Sequence, residues 1–150
     1  KFTACGEICR LFLLGGNFDG IKTRNFGIEI EMTGLTRCQA AKALSGVLGG
    51  EVVHEGGTYD KYTVKDIKSR DWSIVYDGSI NCYNANGDRA SKSYSVEMNS
   101  PVLEYGDIPL LQEVVRALRK AGGVTGPRYC AGTHIHIRQT ITLRSRYAIL

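Results

Sequence analysis

The strongest constraint on this chain is a period of two. In residues 25–32, Asn-Phe-Gly-Ile-Glu-Ile-Glu-Met, the apolar Phe26, Ile28, Ile30 and Met32 alternate with Gly27, Glu29 and Glu31. Successive side chains of a strand point to opposite faces, so this stretch is a strand with one apolar face and one acidic face. Residues 133–139 repeat the device with His134, His136 and, beyond them, Arg138. Residues 93–98 alternate as well, with Tyr94, Val96 and Met98 on one side and Ser95 and Glu97 on the other. Strands with an apolar side need something to bury it, and two amphipathic segments supply that. A helix is predicted over residues 37–48, capped by Thr36, carrying Ala40, Ala41, Leu44, Val47 and Leu48 on one side and ended by Gly49 and Gly50. The second, residues 108–121, follows the candidate N-cap Asp107, presents Leu111, Val114, Val115 and Leu118, and stops at Gly122 and Gly123.

Between these segments the chain reads as short strands joined by turns. Residues 51–54 and 58–64 form a hairpin around Gly56 and Gly57, and residues 72–76 form a strand closed by Asp77, Gly78 and Ser79. The 18 glycines against 3 prolines fit many tight turns, and the mixture is that of an α+β domain with a mainly antiparallel sheet rather than a helical bundle. Residues 1–24 show no period beyond one short strand at 11–14, and a further helix start falls at Thr142. With 43% hydrophobic and 23% charged residues in 150, the chain has enough apolar material for a single core, which excludes a disordered tail. Its apolar runs are far shorter than the roughly 18 residues a bilayer span needs. The five cysteines follow no disulfide spacing; Cys5 and Cys9 are half a zinc knuckle without a second pair, so ordinary reduced thiols and a cytoplasmic setting are expected. A chain that starts at Lys1 and stops at Leu150 inside an apolar run is expected to be processed or a fragment.

The polar faces carry the chemistry. Glu29, Glu31, Glu97, His134 and His136 offer hard oxygen and nitrogen donors, while the opposite apolar faces anchor their strands. A solvated outer face would look similar on any one strand, because antiparallel sheets often have one. Two of three histidines in a single His-x-His, with a Glu-x-Glu elsewhere, favour a site. Trp72 reads as core, and His54, beside a glycine turn, as structural or exposed. Ser100, between Asn99 and Pro101, either binds substrate or ends its strand.

Four blocks together resemble a known family: Phe-Gly-Ile-Glu-Ile-Glu (26–31), Trp-Ser-Ile-Val-Tyr-Asp-Gly-Ser-Ile (72–80), Val-Glu-Met-Asn-Ser-Pro-Val-Leu (96–103) and Cys-Ala-Gly-Thr-His-Ile-His-Ile (130–137). In this order they are similar to the blocks of the amidoligases, relatives of glutamine synthetase and glutamate-cysteine ligase. The likeness covers about residues 25–150 and leaves residues 1–24 as a lead-in. It implies a glutamine-synthetase-like catalytic fold, a curved antiparallel sheet with helices on one face. It also implies an ATP- and Mg²⁺-dependent ligase joining a small-molecule or peptide carboxylate to an amine through an acyl phosphate. By the same resemblance Glu29 and Glu31 each hold a metal, Glu97 ligates another, His134 is a ligand or phosphate contact with His136 beside it, and Asp77 orients the amine or the substrate. Ser79, Ser100, His136 and Arg138 are candidate substrate or nucleotide contacts. Arg138 stands where the family has a small or acidic residue, and is a phosphate contact or an exposed strand end. In related ligases a further carboxylate and phosphate-binding arginines follow the His-x-His block, so a C-terminally incomplete site is expected.

Two other readings compete. A zinc hydrolase would use the His-x-His and carboxylates to generate hydroxide, would bind zinc and would ignore ATP. A truncated, non-catalytic ligase-like module would bind without turnover. Nucleic acid ranks last among the partners, because a formal charge of +4 is spread along the chain and Tyr59, Tyr62 and Tyr83 are not interleaved with a basic stripe. The loop around residues 83–93 is expected to help choose the substrate.

Overall fold

A computed structural model describes residues 22–137. The chain runs through β1 (Phe26–Met32), α1 (Arg37–Leu48), β2 (Val52–Gly56), β3 (Lys61–Lys65), β4 (Asp71–Val75), β5 (Val96–Asn99), α2 (Ile108–Lys120) and β6 (Thr133–Ile137). The strands form one sheet in the order β2-β3-β4-β5-β1-β6, with every pairing antiparallel. This is the expected α+β architecture, and it puts β1 between β5 and β6.

Register makes the two faces chemically different. Ile30 lies opposite Met98, Met98 opposite Ile74 and Ile74 opposite Tyr62, so one row after another of apolar side chains faces the same way. On that face Ile28, Ile30, Met32, Val64, Trp72, Ile74, Val96 and Met98 pack with Ala40, Ala41, Leu44 and Leu48 of α1 and Leu111, Val114 and Leu118 of α2. Burying these side chains removes apolar area from water at roughly 25 cal/mol per Å², which fixes the helices to one side. Trp72 is fully buried, as its lone position on a strand suggested, and its indole N–H donates to Asp66 at 3.2 Å.

Local signals placed α1 correctly. Thr36 accepts the Gln39 N–H at 3.3 Å while the Gln39 side chain accepts the Thr36 N–H at 2.8 Å, and Gly49 ends the helix at φ 79°. The expected side-chain cap on α2 is different. Asp107 makes no cap bond to the helix; its carboxylate is taken by Arg70, by Lys68 and by the Glu104 N–H.

Two strand starts, those of β3 and β5, move by three residues. Residues 93 and 94, read as the start of β5, belong to a 3-10 turn, Lys92–Tyr94. Arg37 explains it: Nη1 donates to the carbonyls of both Lys92 and Ser95 at 2.7 Å. Carbonyls three apart point to opposite sides of a strand, so one nitrogen can reach both only across a turn. The hairpin strand expected from residue 58 begins at Lys61, because Gly56 and Gly57 both have positive φ and Asp60 closes a turn onto the Gly57 carbonyl. Arg138, Cys5, Cys9, the strand at 11–14 and the helix start at Thr142 lie outside the described residues. Among those described, no helix is long and apolar enough to cross a membrane.

Candidate metal and substrate site

The face away from the helices carries the acidic and imidazole side chains. Glu31 of β1 lies opposite Glu97 of β5, and Val75 of β4 lies opposite Glu97 on its other side. The chain leaves β4 there, and Asp77 follows two residues on. One carboxylate oxygen from each of Glu31, Asp77 and Glu97 lies within 4.8 Å of the other two. Among the described residues this is the group close enough to share a metal ion.

Each member of the trio is held from outside. Glu31 accepts the Gly132 N–H at 2.9 Å, and the Glu31 N–H donates to the Gly132 carbonyl at 2.9 Å, so the segment before β6 is stitched to β1. The Asn99 amide donates to Glu97 at 2.8 Å. Asp77 accepts the Ser79 N–H at 2.7 Å, which fixes the Asp-Gly-Ser turn and leaves Ser79 exposed. Partial burial pushes the Glu97 carboxyl above its ordinary range; the Asn99 bond pulls it down, and the charges of Asp77, Glu29 and Glu31 push it up further. Gathering three carboxylates is unfavourable without a cation, and a cation is what such a set is suited to hold.

Glu29 behaves differently. It lies opposite Asn99 on one side and His134 on the other, and its carboxylate reaches His136 Nε2 at 3.1 Å and His134 Nδ1 at 3.4 Å. The His136 bond, against a smaller opposing effect of burial and with help from His134, holds Glu29 below the usual carboxylate value. Both imidazoles are exposed on β6, the last strand of the sheet among the described residues, so Glu29 orients them over the polar face.

The five residues singled out on alternating strands therefore share a face, but they divide into the Glu31–Glu97 pair, which Asp77 completes as a carboxylate trio, and a Glu29–His134–His136 group. Asp77, expected to orient an amine or substrate, stands with the carboxylates. Ser100 accepts the Ile28 N–H at 2.9 Å and donates to the Pro101 carbonyl at 2.8 Å, the bonds of a residue that ends a strand. His54 is exposed, stacked on Tyr62 and paired with Asp60 at 2.7 Å. The sequence reading assigns Asn99 no contact with Glu97, although the two are two apart, a spacing that signals a shared face. Gly132 had no comparable signal, since its contribution is a backbone N–H.

A family model described as "Putative amidoligase enzyme" matches residues 22–142. The chain belongs to this amidoligase family. No curated protein and no solved structure matches it. The match takes in every described strand of the amidoligase sheet. The four blocks quoted above fall on β1, on β4 with its following turn, on β5 and on β6, and these strands are neighbours in the order β4-β5-β1-β6. Residues scattered over more than a hundred positions thus line one continuous wall.

Proposed function

We propose that this amidoligase is an ATP- and Mg²⁺-dependent carboxylate–amine ligase with a glutamine-synthetase-like catalytic wall. The observation that carries the reading is the convergence of Glu31, Asp77 and Glu97 on the polar face of a chain with this family membership. Their donor set is all carboxylate oxygen, which suits a hard cation such as Mg²⁺ better than zinc. The zinc-hydrolase reading needs imidazoles in the metal-binding group, and His134 and His136 are bonded to Glu29 instead.

In the proposed reaction an oxygen of the acid attacks the γ-phosphorus of ATP, ADP leaves, and the amine displaces phosphate from the acyl phosphate. The amine loses a proton and one amide forms for each ATP spent. Bound at the trio, Mg²⁺ would neutralise the phosphate oxygens and set the γ-phosphoryl group in line with the attacking carboxylate. The chain's own residues supply the positioning. Gly132 and Asn99 hold Glu31 and Glu97 in place, the Asp77 turn fixes the third carboxylate, and Glu29 keeps two imidazole rings facing the same space. A cytoplasmic location, where ATP is available, belongs to the same proposal.

Calorimetric titration of ATP with and without Mg²⁺ tests it. Binding that requires Mg²⁺ and is lost in Glu31→Gln and Glu97→Gln is the expected result. Tight zinc binding with no affinity for ATP would return the hydrolase, and no binding of either would leave a non-catalytic module.

A further inference from the structure

Two arginines meet on one tyrosine ring with no carboxylate partner among the described residues. Arg89 and Arg128 come from the segments that follow β4 and precede β6, and both gather on the ring of Tyr83. The Arg89 guanidinium carbon lies 4.9 Å from the ring centroid and that of Arg128 5.1 Å; Arg128 also lies 5.8 Å from the Tyr129 ring. Tyr83 and Tyr129 meet edge to face at 5.3 Å. Asn81 ties the two segments together, donating its N–H to the Tyr129 carbonyl at 2.8 Å and its side-chain amide to Cys130 Sγ at 3.2 Å, and it accepts from Arg89 at 3.4 Å. Among the described residues no carboxylate pairs with Arg89 or Arg128, nor with Arg24 or Arg119, whereas Arg37, Arg70 and Arg116 each have one.

The cluster is anchored to the carboxylate wall at both ends. The Tyr83 N–H donates to the Thr33 hydroxyl at 2.9 Å, and the Tyr83 carbonyl accepts from that hydroxyl and from the Gly34 N–H at 3.0 Å, just past Glu31 in sequence. Arg128 precedes Gly132, whose N–H binds Glu31, by four residues, a span of at most about 14 Å. A guanidinium lying over an aromatic face keeps its N–H edge free, and that edge forks onto a carboxylate or phosphate.

We propose that Arg89 and Arg128 form an oxyanion subsite for a second negative group on the acid substrate, so that this amidoligase selects acids with at least two anionic groups. The inference rests on the ligase reading: one carboxylate of the acid reacts at the trio and the other anion is held by the arginines. The acid is favoured over the nucleotide because the arginines sit on loops. Strand-borne residues supply chemistry common to the reaction, while loops on a rigid scaffold set which substrate is accepted.

The test follows the arginine Nε–H resonances of the ¹⁵N-labelled protein during titration with glutarate, butyrate or Mg²⁺-ATP, in wild type and in Arg89→Gln and Arg128→Gln. Both side chains are exposed, and matching circular dichroism and melting curves would show that the variants fold. Glutarate is expected to shift the Arg89 and Arg128 signals saturably, butyrate to leave them, and each variant to weaken glutarate about tenfold, the loss expected for one charge-assisted contact. Equal responses to glutarate and butyrate, no response, or unchanged glutarate affinity in both variants would overturn the proposal. So would a tenfold loss of Mg²⁺-ATP affinity in Arg128→Gln, which would assign the arginines to the nucleotide. Failure of wild-type protein to bind Mg²⁺-ATP would remove the ligase reading while glutarate binding still reported on the subsite itself.

Discussion

Arg70 holds two buried carboxylates at once. Its guanidinium donates to Asp66 at 2.8 Å and to Asp107 at 2.6 Å, and Asp66 also accepts the Trp72 indole and the Lys68 and Arg70 N–H groups. Both acid side chains are almost wholly enclosed, so Arg70→Met removes the guanidinium from both, leaving Asp107 with Lys68 and Asp66 with neutral N–H donors alone. A cost of about 3–5 kcal/mol in urea unfolding is expected. The Arg70 bond, partly opposed by burial, holds Asp107 well below the ordinary carboxylate value. Asp66 is also lowered: burial pushes it up, but the bonds from the Arg70 backbone, Trp72 and the Arg70 side chain outweigh that. Because both folded values lie below the unfolded value of about 3.9, their stabilisation is complete above that pH and is lost as pH falls toward the folded values. The melting temperature should therefore drop steeply below about pH 4. Asp107→Asn should lower stability at neutral pH and flatten that acid limb, and an unchanged acid limb would contradict the argument. Nothing in the sequence marks Asp66, Arg70 and Asp107 as a set, because their separation along the chain carries no periodic signal.

At the scale of elements, what was legible depended on how locally each signal acts. The ends of α1 are written in adjacent residues, Thr36 with Gln39 at one end and Gly49 at the other, and the helix falls where they say. Thr36→Ala should cost about 1 kcal/mol, seen as a lower midpoint at unchanged denaturant slope. Tertiary contacts overrode the pattern elsewhere. Ser93, Tyr94 and Ser95 alternate like a strand, but Arg37, more than fifty residues earlier, draws the Lys92 and Ser95 carbonyls onto one nitrogen and bends the segment. Asp107 looks like a helix cap by position, yet Arg70 and Lys68 claim its carboxylate. Short-range preference is worth about a kilocalorie per mole, and a buried ion pair left unsatisfied costs more.

Across the whole molecule, the sheet separates stability from chemistry. Leu44 is fully buried on the helix side, and Leu44→Ala should cost about 2–5 kcal/mol. At temperatures where that variant stays folded, Mg²⁺-ATP affinity should match wild type, because the proposed ligands occupy the opposite face; a parallel loss of both would show the faces to be coupled. The sequence by itself determined that β1, β5 and β6 carry apolar residues on one side and Glu29, Glu31, Glu97, His134 and His136 on the other, since side-chain direction along a strand follows from backbone geometry alone. It also determined the two helices that cover the apolar side. Only the tertiary structure decided which strands are neighbours, and hence that Glu31 meets Glu97 and Asp77 while Glu29 meets the histidines. It alone brought Arg89 and Arg128 onto one tyrosine. Strand order and loop convergence depend on burial and pairing between segments far apart in the chain, and periodicity within a segment holds no record of them.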